Sequence, residues 1–494
     1  MAAATSPRPR WDSAIAPILR PLVRAYLFGY ASAAGPRLLT LVLQHAARRR
    51  RDSKQTTTAR DTPPAEPFLP ALQRILLGPL GAQSFPAFCA ALVGGTTFLE
   101  LPLRSFFDRH AGNISAVARR RLSRWLASFI AAWLSLRLLQ SKQTPSFTDV
   151  TAESGPDGVP QTIHYAGRTL DLTLLAVTRA LDVIGGELWH RRKLRREAAG
   201  TWTRLDRAAA RLADPALFAL SSGLIMWTWI YLPSRLPRAY NKWISSAAAV
   251  DARLIAALQR CRDRTLLYGH DTNQAPLLGA MCADYGWPRE WGDPARSVPF
   301  PCEMVHMGSG PSCEYHALAR FAQSFRWALA SYLPLSLLLA ARSTTTSTTS
   351  RHARIRALRR AVLSAARSSA FLGAFITLFY YGVCLARTRV GPHVLGKDAA
   401  ARQKIDGGYC VAAGCALCGW SILLENAGRR KDIALFVAPR ALATLFPRRY
   451  GLEKQWRETL AFAASVAVVL TCFKENRGRV RGVMGGVLGF VFRE

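Results

Sequence analysis

The chain has 494 residues, half of them hydrophobic, with 66 Lys and Arg against 31 Asp and Glu and a formal net charge of +35. That length allows two or three domains, and a mean hydropathy just above zero excludes an ordinary soluble domain with a charged surface all round. Such a positive charge suits a nucleic-acid binder or a membrane protein with basic loops, and the placement of the charge decides between them. The basic residues gather between apolar runs, at Arg48 to Arg51, Arg119 to Arg124 and Arg191 to Arg196. A nucleic-acid binder would instead place them along one tract or face. The expected partner is therefore a lipid bilayer and not a nucleic acid.

Residues 1–70 read as a basic N-terminal segment in which Asp12 is the only acid among the first fifty. This suits a mitochondrial transit segment, and equally an amphipathic surface helix from Ile15 to Tyr30 with Arg20 and Arg24 on its polar side. A second apolar run, Leu38 to Leu43, leads into a polar linker over residues 48–67. Residues 71–233 form a first membrane module. Ile75 to Leu99 is uncharged, and Pro79, Gly81 and Pro86 place the start of its span near Phe85. Trp125 to Gln140 follows, then a polar loop from Pro145 to Gly167. Leu170 to Leu188 is apolar but carries four charges, and Ala216 to Pro233 is charge-free with Trp227 and Trp229 near one end, as in an aromatic belt.

Residues 234–316 are a connector whose Gly, Pro and Trp content predicts an ordered loop domain without long helices. Residues 317–494 are a second membrane module. Its apolar runs are Trp327 to Ala341, Ser368 to Ala386, Gly407 to Leu424, Ile433 to Phe446 and Thr459 to Phe473, before a basic, glycine-rich tail. About eight to eleven membrane segments are expected from this layout. The two modules look duplicated. At an offset of 261, Asp171, Leu174, Arg179, Ala180 and Leu181 match Asp432, Leu435, Arg440, Ala441 and Leu442. Five identities in twelve positions exceed the roughly one expected by chance, and duplicated modules place sites at their interface.

Three constellations carry chemistry. Cys302, His306, Cys313 and His316, as C-x3-H-x6-C-x2-H, have the donor types for a tetrahedral metal ion. A Cys302–Cys313 disulfide and plain packing are the alternatives. Asp171, Arg179, Asp182, Asp432 and Arg440 lie in apolar runs, where a charge must face protein or an aqueous cavity. They line a polar pathway or act as glue between helices, with Arg179 and Asp182 three apart on one face. Gly478, Gly482, Gly485, Gly486 and Gly489 have the spacing that lets membrane helices approach closely. The remaining cysteines fall largely in apolar runs, as small hydrophobes, and no disulfide framework appears. There is no G-x-S-x-G elbow, P-loop or H-E-x-x-H motif, and the chain is expected not to be an enzyme and to have no organic cofactor.

The central stretch also carries a resemblance. Pro301, Cys302, Glu303, His306, Ser312 and Cys313, followed by Tyr332, Leu333, Pro334 and Leu335, resemble the signature of the transmembrane protein 135 family over Tyr268 to Arg342. That family is similar to the superfamily of inner-membrane translocase channels and a small peroxisomal membrane protein. The resemblance implies a peroxisomal or mitochondrial integral membrane protein acting in organelle membrane function and lipid homeostasis. Partners so implied are the bilayer, other organelle membrane proteins or a second copy. The expected architecture is an all-α, polytopic helical membrane protein: two similar helical modules joined by a Cys/His-containing connector. A channel or carrier between the modules and a metal or redox protein at the Cys/His cluster are the alternative functions.

Overall fold

Helices begin where the sequence supplies a cap or an early proline. Thr203 and Asp206 form a reciprocal capping box, Ser115, Asp251 and Asp398 accept from backbone amides of the following turn, and Pro86 sits in the first turn after Ser84. The computed structural model describes residues 12, 15–52, 67–151, 161–345 and 351–493. Over these the chain is all-α. Its first helices are α1 (Arg20–Asp52), α2 (Phe68–Leu77), α3 (Phe85–His110), α4 (Ala116–Gln140), α5 (Leu170–Ala198) and α6 (Arg204–Tyr231). Short helices follow: α7 (Arg238–Ala248), α8 (Ala252–Arg262), α9 (Ala275–Tyr285) and α10 (Cys302–His306). Next come α11 (Cys313–Thr345), α12 (Arg351–Leu385), α13 (Gly391–Val394), α14 (Ala399–Lys404), α15 (Cys410–Cys418), α16 (Ala427–Ala443), α17 (Gln455–Glu475) and α18 (Gly482–Val491). The polar loop expected from Pro145 to Gly167 holds a hairpin of β1 (Thr148–Thr151) and β2 (Gln161–Ala166), extended by β3 (Tyr450–Gly451) in the order β1-β2-β3. The turn cluster at its tip and most of the 48–67 linker lie outside the described residues.

Seven helical stretches among the described residues are long and apolar enough to cross a membrane: Phe68–His110, Ala116–Gln140, Arg204–Tyr231, Cys313–Ala341, Arg351–Val394, Ala399–Leu424 and Leu452–Glu475. The protein is an integral membrane protein of the polytopic helical class. Large side chains on these helices face outward, as Leu220 and Leu338 do at 75% and 65% exposure, where acyl chains rather than water would solvate them. The count falls below the eight to eleven expected because α5 and α16 drop out. These are the two segments that align with each other, and each carries charges that interrupt its apolar run. Alkaline carbonate treatment of membranes is expected to leave the chain in the pellet. Release into the supernatant would contradict lipid-solvated spans.

The contacts divide the chain into residues 1–199 with 448–494, and residues 200–447. Neither boundary coincides with the expected ones at 71, 234 and 317. The physical reason is that α17 returns to pack along α4 and α5, whereas α6 packs with α15 and α16. In the first unit, Phe88 of α3, Leu136 of α4 and Phe462 of α17 share a core. Arg24 is not on a wet face. It is buried and donates to Asp12 at 2.7 Å, which ties the residues before α1 to that helix. The tail glycines do not mediate the expected helix contact. A Cβ on Gly486 or Gly489 would meet nothing within 4 Å, and Gly478 would meet only the Asn476 side chain. Gly482 is needed for a positive φ of 71° at the start of α18, and Gly485 is close only to the Val480 carbonyl of its own segment.

In the second unit, α11 runs along α12, and α12 crosses α15. Gly382 and Gly414 meet at that crossing. The connector forms no separate body. Leu254, Tyr268, Met281 and Met304 build a small core, and α8 packs on the turn that joins α14 to α15. The four helices that lie wholly within it do not exceed 11 residues, and the long α11 begins at its end, at Cys313. Trp229 is a core residue rather than part of a belt, and its indole N–H donates to Ser245 at 3.1 Å.

Candidate metal centre

Pro301 opens the single turn α10, which sets Cys302 and His306 four apart on one face. The chain then reverses through Met307, Gly308 and Gly310, all at positive φ (49°, 85° and 87°), so that Cys313 begins α11 beside that face. The reversal also aims the Gly310 carbonyl at His306, whose Nδ1 lies 2.7 Å away. Nδ1–H donating there leaves Nε2 as the free lone pair, the arrangement usual for a ligating histidine.

The fourth donor is Cys384 in the last turn of α12. Its Sγ is 3.8 Å from Cys302 Sγ and 3.5 Å from His306 Nε2, and the Cys302 and Cys313 sulfurs are also 3.8 Å apart. One donor atom from each of Cys302, His306, Cys313 and Cys384 lies within 4.8 Å of all the others. His306 and Cys384 are fully buried. The expected set therefore changes by one member. His316 is not in the group, because α12, packed along α11, delivers a cysteine to the corner that His316 was expected to fill. His316 stacks behind His306 instead, with ring centroids 4.6 Å apart, and both its nitrogens are buried without a hydrogen-bond partner. The disulfide alternative is not realised: the 3.8 Å separation far exceeds an S–S bond of about 2.05 Å, and all ten cysteines are free thiols. Hydrogen bonding with Cys384, with help from His306 and the charge of Arg387, outweighs burial and holds the Cys302 thiol below the usual cysteine range.

One turn beyond Cys384 lies a buried ion pair that sequence reasoning missed. Arg387 binds Asp406 with both arms, at 2.6 and 3.0 Å, and the two side chains are 2% and 1% exposed. Both residues sit in π-helical turns, Ala386–Val390 and Ile405–Tyr409. Tyr268 donates to Asp406 at 2.6 Å, and Arg387 donates to the Phe300 carbonyl at 2.9 Å while stacking on the Phe300 ring. The pair thus holds the connector residues Tyr268 and Phe300 against the ends of α12 and α14. The only sequence signal was a pair of opposite charges flanking apolar helices.

Comparison with protein-family models, curated proteins and solved structures returns no match to this chain. The geometry alone must carry the chemistry. Three sulfurs and one imidazole nitrogen around a point can hold a single soft or borderline cation with every position filled by protein. The expected intramembrane charges are dispersed instead. Asp171, in the first turn of α5, pairs with Arg448 at 2.9 Å, and Asp182 pairs with Arg481. Arg179 is buried on the same helix. Arg440 donates to the Phe436 carbonyl at 2.6 Å and lies over the Phe436 ring. Asp432 keeps one buried carboxylate oxygen without a partner. Asp171, Arg179 and Asp182 belong to one unit, and Asp432 and Arg440 to the other.

Proposed function

We propose that the protein is a non-enzymatic, multi-pass component of a mitochondrial or peroxisomal membrane that acts in lipid homeostasis by holding an acyl chain. The resemblance of the Pro301 to Leu335 stretch supports the organelle and the process. The observation that carries the lipid reading is a cavity of about 350 Å³ within residues 200–447. Its walls come from α6, α7, α11, α12 and α16, with Phe218, Met226, Trp243, Phe375, Ile376 and Phe436 prominent. No Asp, Glu, Lys, Arg or His lines it, so a polar solute would lose its hydration there without replacement. An apolar chain loses nothing, and Tyr240, Ser222 and Tyr332 supply the few polar groups that fix orientation in such sites.

Photo-crosslinking with a diazirine-bearing phospholipid in nanodiscs tests this reading. The adduct is expected on peptides of α6, α7 or α12 and is expected to fall about ten-fold in Ala247→Trp, which fills the cavity. Labelling confined to outward-facing residues, and unchanged in the variant, would end the lipid-holding reading.

A further inference from the structure

We propose that Cys302, His306, Cys313 and Cys384 bind one zinc ion in a closed structural site that ties the connector to α11 and α12. The spacing of the donors is the main argument. Zinc bound at about 2.3 Å to sulfur and 2.0–2.1 Å to nitrogen requires tetrahedral edges of about 3.8 Å between sulfurs and about 3.5 Å between sulfur and nitrogen. Three of the six edges are 3.8, 3.8 and 3.5 Å, and the other three do not exceed 4.8 Å. The four ligands of an iron–sulfur cluster are divided among two or four irons, so at least some of them stand farther apart than ligands that all share one ion. Four donor atoms within 4.8 Å of one another accordingly describe a mononuclear centre.

The surroundings are those of a ligand set. The Gly310 carbonyl fixes the His306 tautomer so that Nε2 points at the sulfurs. Zinc with three thiolates and a neutral imidazole carries a net charge of −1, and the Arg387–Asp406 pair, whose arginine is three residues after Cys384, is itself neutral and adds no further negative charge beside the site. On binding, the thiols that are still protonated release their protons to solvent, and no electrons move. With four protein ligands no coordination position is left for substrate, which makes the site structural rather than catalytic. The ion joins residues 71 apart in sequence, Cys313 and Cys384, at the start of one candidate span and near the end of the next.

The test is elemental analysis with an acid-labile sulfide assay on the full chain, purified in detergent from metal-replete cells without chelator. About one zinc per chain and no labile sulfide are expected. Cys384→Ser and His306→Ala are expected to lower the zinc content by about ten-fold or more, whereas His316→Phe keeps it. Since these variants can misfold, the wild-type protein exchanged with cobalt provides a second readout: the visible ligand-field and thiolate charge-transfer bands of a tetrahedral site with three sulfur ligands and one nitrogen. Wild-type protein without stoichiometric metal, or with iron and labile sulfide, would overturn the proposal. So would cobalt spectra lacking thiolate bands, or metal loss in His316→Phe but not in Cys384→Ser.

Discussion

Arg387→Met is expected to destabilise the protein by about 3–5 kcal/mol, because it leaves the Asp406 carboxylate charged and unpaired where water does not reach. The same change also removes the donor to the Phe300 carbonyl, which frees the connector from α12. A triple variant, Arg387→Met with Asp406→Leu and Tyr268→Phe, removes both charges and the hydroxyl that donates to the carboxylate. It is expected to recover the part of the loss due to the unpaired carboxylate, since apolar groups replace a buried pair at little net cost, while the lost donor to the Phe300 carbonyl is not restored. The comparison is the apparent midpoint of thermal unfolding for the full chain in one detergent. A single variant as stable as the wild type, or a triple variant no better than the single, would show that the pair is solvated.

Gly414→Leu is expected to cost about 3 kcal/mol or more. A Cβ on Gly414 would stand 2.7 Å from the Phe379 carbonyl oxygen, and one on Gly382 would stand 2.9 Å from the Gly414 Cα. Both obstacles are backbone, which cannot swing aside as a side chain can, so α12 and α15 must separate. Gly486→Ala is the matched control. Nothing lies within 4 Å of its added methyl, and alanine favours the helix by roughly 0.5–1 kcal/mol over glycine. Equal unfolding midpoints for the two variants would mean that the α12–α15 crossing is looser than described.

The contrast between these glycines shows what was legible in the sequence. A run of uncharged residues is a local property, so the existence of the spans around Phe85 to Leu99, Trp125 to Gln140, Ala216 to Pro233 and Thr459 to Phe473 was readable, although the helices of the last three begin 9, 12 and 7 residues earlier, in charged turns that the run does not include. Partner identity is not local. The regular spacing of Gly478 to Gly489 drew attention to the tail, while the close contact belongs to Gly382 and Gly414, which have no such pattern around them. Cys384 was missed for the same reason. It lies in an apolar run where a cysteine reads as a hydrophobe, and only the antiparallel packing of α11 on α12 brings it to Cys302. Three of the four donors were legible because Cys302, His306 and Cys313 share one reversal of the chain. The charges of α5 stand out in the sequence as costly for lipid, but their partners, Arg448 and Arg481, are more than 250 residues away in sequence.

The pairing of α11 with α12 has a consequence for sidedness. The two helices run antiparallel, with Phe321 beside Gly373, so the start of one and the end of the other emerge from the same leaflet. The sulfur-bearing ends face one compartment, and Ala341 and Arg351 face the other. The four donors then require a reducing milieu on the first side, while the arginines between Arg351 and Arg360 stand at the end of the span where the headgroups of the second leaflet begin.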